Sequence, residues 1–343
     1  VYIGDAVFVD GARPDVEQAY PDYPKQFQAG WGYMMLTNFL PNQGNGTFTI
    51  YAKAVDKEGH EVTLGSKTIT CDNANAVKPF GAIDTPGQGG IASGNAYVNF
   101  GWALTPQPNT IPLDGSTITV WVNGVPLGSP VYNQYREDIA TLFPGYTNSN
   151  GAIGYYYLDT TIYTNAVHTI AWSAEDNAGN SDGIGSRYFS IQNIGDSSLT
   201  LQASKSKSSS INISRIQQAT TSTSPIFVKK GYRTDTIPEI AYPDDEGIMT
   251  ILVKEDERVE IQLSLQNTMA LSSSDPYSYS GCLLFGSHTR PLPLGSFLNS
   301  SNGTFYWQIG PAFFGEHLLV FLEKGPDDET SKIQVKVNIT SKY

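Results

Sequence analysis

Apolar side chains recur at every second position over most of this chain. Phe48, Ile50, Ala52 and Ala54 fall on one face of an extended segment, as do Val98, Phe100 and Trp102. Ile118, Val120 and Val122 repeat the pattern, followed by His168, Ile170, Trp172 and Ala174. It resumes in the last third with Val259, Ile261, Leu263 and Leu265, with Phe305, Trp307 and Ile309, and with Ile333, Val335, Val337 and Ile339. A period of two sends successive side chains to opposite faces of a strand, so each run predicts a half-buried strand. No long stretch has the 3.6 period of a helix. The expectation is therefore an all-β fold, with 79–193 and about 225–343 each forming an antiparallel β-sandwich. Asp56-Lys-Glu-Gly59 and Asp176-Asn-Ala-Gly179 put Asp first and Gly fourth in a turn, where Asp caps backbone donors and Gly accepts a positive φ, so each closes a hairpin. Asp15 and Asp138 stand as N-caps before apolar residues three and four apart that stop at Pro21 and Pro144, which predicts two short helical turns and no other helix.

The chain matches itself at a shift of about 120 residues. Arg13-Pro-Asp-Val-Glu-Gln-Ala-Tyr-Pro21 returns as Arg136-Glu-Asp-Ile-Ala-Thr-Leu-Phe-Pro144. Phe48 through Gly59 returns as His168 through Gly179, and Leu64-Gly-Ser-Lys67 returns as Ile184-Gly-Ser-Arg187. Two copies of one fold explain the kept order and spacing. The second copy opens near Phe80 with two alternating runs that the first copy lacks, since Ile3-Gly4 already corresponds to Leu127-Gly128. The first sandwich is therefore expected to be incomplete. Either a longer protein supplies the missing part, with Val1 an artificial start, or the gap is filled by packing on the second module or by a strand from another chain. The division expected is a truncated module over 1–75, a complete one over 76–193, a Ser/Thr/Lys-rich linker over 194–224 with edge strands at Leu199–Leu201 and Ile211–Ile213, and a third sandwich over 225–343.

Charge narrows the partners. The 343 residues carry 21 Lys and Arg against 33 Asp and Glu, for a net charge of -12. Nucleic-acid binding takes most of its affinity from neutralised phosphates, and an acidic chain without a basic patch cannot supply it. Gly 33 and Pro 20 with only 16% charged residues fit a turn-rich extracellular β protein. No apolar run reaches the roughly 20 residues of a membrane helix. The chain begins at Val1 without Met or an export leader and reads as a processed or trimmed piece. Cys71 and Cys282 fall in different modules, so no disulfide between them is expected.

The search for chemistry finds no phosphate loop, zinc helix, Cys pair or nucleophile elbow, so no catalytic residue, cofactor or metal is expected. Arg13 with Asp15, and Arg136 with Asp138, are the candidate ligand-binding residues, with Arg as a carboxylate clamp; the competing reading has each pair brace its helical turn. Asp176, Asn180 and Asp182 have the oxygens for Ca²⁺, yet the first copy does not keep them, and turn capping is the role expected of Asp176. Tyr155-Tyr-Tyr157 with Tyr163 and Trp172 would make a sugar-stacking platform, although alternation buries every second ring. His168 takes the strand position of Phe48 and reads as a packed ring. Asp244-Asp245 and Asp327-Asp328 read as solvated loops rather than acid/base pairs.

Gly101-Trp102-Ala103, the Asn123-Gly124 turn, the Arg-x-Asp-Val/Ile turns and the Asp176 to Asn180 hairpin resemble bacterial Ig-like repeats of large secreted or surface proteins. Leu292-Pro-Leu-Gly-Ser-Phe297, Gly303-Thr-Phe-Tyr-Trp307 and Gly310-Pro-Ala-Phe-Phe-Gly315 are similar to a cadherin-like Ig family. Together these resemblances span most of the chain. They imply tandem immunoglobulin-like β-sandwiches and a secreted or cell-surface setting, and they imply no catalytic residues. The function expected is a non-enzymatic spacer, adhesion or ligand-binding segment with a protein or glycan surface partner. The alternative is an accessory carbohydrate-binding portion of a larger exported hydrolase.

Overall fold

A computed structural model describes residues 1–193, 211–264, 277–327 and 329–342. Leu199–Leu201, Leu265 and Asp328, singled out above, lie outside the described residues.

The first copy contains four strands. β1 (Val7–Val9) pairs antiparallel with β2 (Gly30–Gly32), and β3 (Asn45–Val55) pairs antiparallel with β4 (Glu61–Asp72). The second copy adds β5 (Phe80–Thr85), β6 (Ile91–Ala92), β7 (Tyr97–Leu104), β8 (Ile118–Val122), β9 (Val125–Gly128), β10 (Val131–Gln134), β11 (Ile153–Leu158), β12 (Val167–Glu175) and β13 (Ser181–Ile191). They form one sheet ordered β10-β11-β7-β5 and another ordered β6-β13-β12-β8-β9. The alternating residues predicted to be inward form the core between them: Ile118, Val120, Val122, Ile170, Trp172 and Ala174 meet Ile83, Ala103, Tyr132 and Leu158.

The last third holds β14 (Thr220–Thr221), β15 (Ile226–Lys230), β16 (Glu239–Ala241), β17 (Ile248–Lys254), β18 (Arg258–Gln262), β19 (Ser278–Phe285), β20 (His288–Arg290), β21 (Ser296–Leu298), β22 (Thr304–Gln308), β23 (Gly315–Lys324) and β24 (Thr330–Thr340). One sheet runs β16-β15-β18-β22-β21, the other β14-β24-β23-β19-β20 with β17 also on β24. Val259, Ile261, Phe305 and Trp307 of the first face Leu319, Phe321, Ile333, Val335 and Val337 of the second in one buried cluster.

Two expectations need correction. The sheets are not wholly antiparallel, because β6 runs parallel to β13, and both β14 and β17 run parallel to β24. A period of two marks which face of a strand is buried but not which way its neighbour runs. The linker expected through Ser224 also ends early. Ile211–Ile213 is no edge strand: a helix spans Ile213–Gln218, capped by Asn212 accepting from Ser214 N at 3.1 Å. Ile211 and Ile216 are buried against Cys282, Val320 and Leu322 of the third module. The Asn212 cap with Ile213 and Ile216 three apart is a helix signal, short enough to be hidden by the surrounding Ser and Thr.

Both predicted helical turns form, over Pro14–Ala19 and Glu137–Leu142, with Arg13 and Arg136 at the N-cap positions. Asp15 and Asp138 lie inside the first turn rather than capping it, because each carboxylate is held by the arginine two residues before it.

The repeat is visible bond by bond. In β3–β4, Phe48 faces Ile69, Ile50 faces Lys67 and Ala52 faces Gly65, with a register shift after Ala52. In β12–β13, His168 faces Phe189, Ile170 faces Arg187 and Trp172 faces Gly185, with the shift after Trp172. Every pair differs by 120 residues. The surroundings do not match: β12–β13 lies in a five-stranded sheet, whereas β3–β4 stands as a sheet of two. The β1–β2 ribbon takes its cover from the third module, since Val9 and Ala12 join the cluster of Ile309 and Phe313. Glu17 on the first helix is buried and makes a bidentate pair with Arg290.

Candidate functional site

Arg13 and Asp15 form a closed local pair, with Nε to Oδ1 at 2.8 Å and Nη2 to Oδ2 at 2.6 Å. The hydrogen bond from Arg13 holds the Asp15 carboxyl below its ordinary pKa. Arg136 binds Asp138 at 2.6 Å and also Asp84 on β5. Burial works to raise the pKa of Asp138, but its bonds from Arg136 and Ile139 N outweigh that and lower it. The Arg136 guanidinium ties the helical turn to a sheet strand, the geometry that the bracing reading describes. Among the described residues Arg13 has no counterpart of Asp84. Its guanidinium instead lies 5.9 Å over the ring of Phe314 and lines a cleft.

That cleft has a volume of about 530 Å³, and Arg13, Trp31, Tyr33, Lys67, Glu255 and Phe314 line it together with Pro311 and Ala312. The sequence Gly30-Trp31-Gly32-Tyr33 builds one wall. In β2 the two glycines are buried and Trp31 points outward. A Cβ on Gly32 would lie 2.6 Å from the Pro311 carbonyl carbon, and one on Gly30 would lie 2.8 Å from Ala12 Cβ. Glycine at both inward positions therefore lets the ribbon lie flat on its neighbours, and alternation holds the Trp31 ring in solvent. Tyr33 is anchored by its hydroxyl, which donates to Ile3 O at 3.0 Å. Trp31, Tyr33 and Phe314 stay 42%, 41% and 41% exposed around this opening. Burial raises the pKa of Glu255, which also lines the cleft, against the pull of Lys67.

The exposure of Trp31 is unusual within this molecule. Of the five tryptophans, Trp102, Trp121, Trp172 and Trp307 are each 1% exposed or less. Three of these satisfy the indole N–H inside the core: Trp121 donates to Ser173 Oγ at 2.9 Å, Trp172 to Asn99 Oδ1 at 2.7 Å and Trp307 to Leu294 O at 3.1 Å. Burial of Trp172 removes it from the expected platform with Tyr155, Tyr157 and Tyr163. Tyr163 packs on His168 in the core instead, while Tyr155 and Tyr157 meet edge to face at 5.4 Å and do not make a flat row.

The Asp176 turn is closed by its own hydrogen bonds. Oδ1 accepts from Ala178 N and Asn180 N, both at 3.0 Å, while Oδ2 accepts from Thr105 at 2.9 Å and Asn109 at 3.0 Å. Asp182 turns away from it toward Lys78 and Lys342. The structure therefore does not assemble the Asp176, Asn180 and Asp182 oxygens into a cation site, and no group of three His, Cys, Asp or Glu suited to a metal occurs among the described residues. His168 is buried, with Nε2 donating to Thr164 O and Nδ1 accepting from Asn123, each at 2.9 Å. Burial lowers its pKa, so the ring is neutral and structural.

Sequence reasoning singled out Arg13 but not Trp31, Lys67, Glu255 or Phe314. A signal was available for Trp31. A tryptophan between two glycines in a two-period segment has no side chain beside it to share an inward face. Lys67, Glu255 and Phe314 come from three other parts of the chain and are united only by the fold.

No protein-family model matches the sequence, and no curated protein matches it. Solved structures do. The chain is similar to the fibronectin(III)-like modules of Clostridium thermocellum CbhA at 11% identity over 76% of this chain and 93% of that one, with a TM-score of 0.20. It is similar to the tandem Ig repeats of Dlar at 9% identity over 78% and 100%, with a TM-score of 0.19. SGBP-B of the Bacteroides ovatus mixed-linkage glucan utilization locus, in complex with a mixed-linkage heptasaccharide, is similar at 10% identity over 87% and 55%, with a TM-score of 0.19. The fold, read from its own sheets, is all-β: two β-sandwiches, in the second copy and the last third, join a shorter first copy, and no helix among the described residues is long and apolar enough to cross a membrane.

Proposed function

We propose that this chain is a non-enzymatic, secreted or cell-surface multidomain protein of the bacterial Ig-like type, a spacer or adhesion segment that binds a glycan in the Trp31 cleft. The supporting observation is the exposed Trp31 beside Tyr33 and Phe314, in a chain that buries its other tryptophans. Aromatic faces held in water suit the C–H face of a sugar ring, and Arg13, Lys67 and Glu255 at the same opening offer hydrogen bonds to hydroxyls. The proposed modules are 1–75, 76–193 and a third that takes in Ile211 to Thr221 ahead of 225–343. The second reading, an accessory carbohydrate-binding portion of a larger exported hydrolase, draws on the same cleft; a parent reading frame encoding a catalytic domain would select it.

A glycan array followed by titration calorimetry tests the proposal. Retained glycans should bind wild type and lose about tenfold or more in affinity on Trp31→Ala, with the melting temperature unchanged because the ring is exposed. Unaltered binding by the variant, or no retained glycan at all, would refute the glycan cleft. Measured turnover of a glycan or peptide that a single substitution here abolishes would refute the non-enzymatic reading.

A further inference from the structure

A second cleft, of about 910 Å³, opens where the second copy meets the last third. The second copy contributes Lys78 and Asp182 to it, and the last third contributes Lys230, Arg233, Leu252 and Lys254. Glu255, in the turn between β17 and β18, lines this cleft and the Trp31 cleft alike. That turn is held in place, since Glu255 N donates to Thr340 O at 2.9 Å and Lys254 N donates to Glu257 Oε2 at 3.0 Å. The two openings therefore adjoin at one fixed residue. Each alone falls in the range of a small-molecule pocket, roughly 300 to 1,000 Å³, so adjoined they offer more room than one sugar unit fills.

The charges of the second cleft are spent on one another. Lys78 and Lys342 pair with Asp182 at 3.3 and 3.7 Å, Lys230 pairs with Glu239 at 2.8 Å, and Arg233 pairs with Asp235 at 3.3 Å. An anionic chain would have to displace these carboxylates and lie against Glu255, Asp256 and Glu257 as well. Hydroxyls both donate and accept, so they bond an ion-paired surface without displacing a charge. Leu252 is 57% exposed in the cleft and offers an apolar surface to the C–H face of a ring. We infer that the two clefts form one track for a linear, uncharged glycan several sugars long, stacked at Trp31 and continuing past Glu255 to Leu252 and Lys254. This rests on the Trp31 glycan reading and names its ligand class: a neutral polysaccharide bound along its length, neither a single sugar nor a charged chain.

The test uses the full chain and calorimetric titration with size ladders of neutral linear glycans. Glucan, mannan and xylan oligomers from disaccharide to octasaccharide are compared with polygalacturonate oligomers of the same lengths. Affinity for at least one neutral ladder should rise about tenfold or more from disaccharide to hexasaccharide as the second cleft is engaged. Leu252→Ala combined with Lys254→Ala, both at exposed positions, should cancel that rise and leave disaccharide affinity as it was, while Trp31→Ala weakens every length. Equal affinity for short and long members of a ladder that depends on Trp31 would overturn the single track and leave the Trp31 cleft standing. A rise with length that survives the paired substitution would rule out the path through the second cleft. Tighter binding of the acidic ladder would refute the neutral class. No binding by any ladder would sink the inference together with the reading it rests on.

Discussion

Asp256 occupies the turn between β17 and β18 with φ at 59°, and its Oδ1 is buried without a hydrogen-bond partner. Burial pushes its pKa up to about 6, against the attraction of Lys342. The folded state therefore holds this proton more tightly than the unfolded chain, whose ordinary value is 3.8. Ionising Asp256 costs stability, so its unfavourable contribution is absent below the unfolded value, grows as pH rises toward about 6 and is constant above it. Asp256→Asn keeps a side chain that tolerates a positive φ and removes the charge. Thermal unfolding at about pH 7.5 should show the variant stabilised by about 2 to 3 kcal/mol, and near pH 3.5 the two proteins should unfold together. A variant no more stable than wild type at neutral pH would contradict the buried, unpartnered carboxylate.

At the scale of elements, the two repeat hairpins carry the same turn in different surroundings. Asp56 and Asp176 both cap their turns, but Asp176 is 4% exposed and also bonds Thr105 and Asn109 on the strand connection across from it. Asp176→Ala should cost about 2 kcal/mol by chemical denaturation, because it leaves buried donors unpaired, and Asp56→Ala should cost distinctly less. The hydrogen bonds to Asp176 outweigh its burial and lower its pKa, so its contribution is present at neutral pH and is lost as pH falls through that lowered value. Equal costs for the two substitutions would mean that the turn alone matters. The β2 ribbon gives a second contrast. Gly32→Val would press against Pro311 and Ala312, so stability should fall by about 1 to 3 kcal/mol while ligand affinity at the cleft falls with it.

For the whole molecule, the joint between the second copy and the last third is organised around one buried cation. Arg258 is 1% exposed; its Nε donates to Gly124 O at 2.6 Å, its Nη2 to Glu260 at 2.6 Å, and its guanidinium lies 4.5 Å over Trp121. Tyr232 completes the contact, edge to face on Trp121 at 5.8 Å and accepting from Gln308 at 2.9 Å. Arg258→Ala should cost about 3 kcal/mol and, in calorimetry, separate one unfolding transition into two as the sandwiches uncouple. A single unshifted transition would show that the joint is not cooperative.

The alternating residues were sufficient for the strands, because burying one face of a strand requires a period of two in the sequence itself. The repeat was legible for the same reason: turn residues such as Asp56 and Asp176, with Gly59 and Gly179 at positive φ, are demanded by local backbone geometry wherever the copy lies. Arg13 was legible as a candidate, but its role was not, since the residues that distinguish it from Arg136 are Asp84 in one copy and Phe314 in the other. Tertiary structure alone decided that β6, β14 and β17 run parallel to their neighbours, and that Ile211 and Ile216 pack on a sheet. It also decided that the β1–β2 ribbon takes its cover from the last third while β3–β4 stands as a sheet of two among the described residues. Which surfaces meet depends on complementary shape between segments far apart in the chain, and a period of two records only that a face is to be covered, not by what.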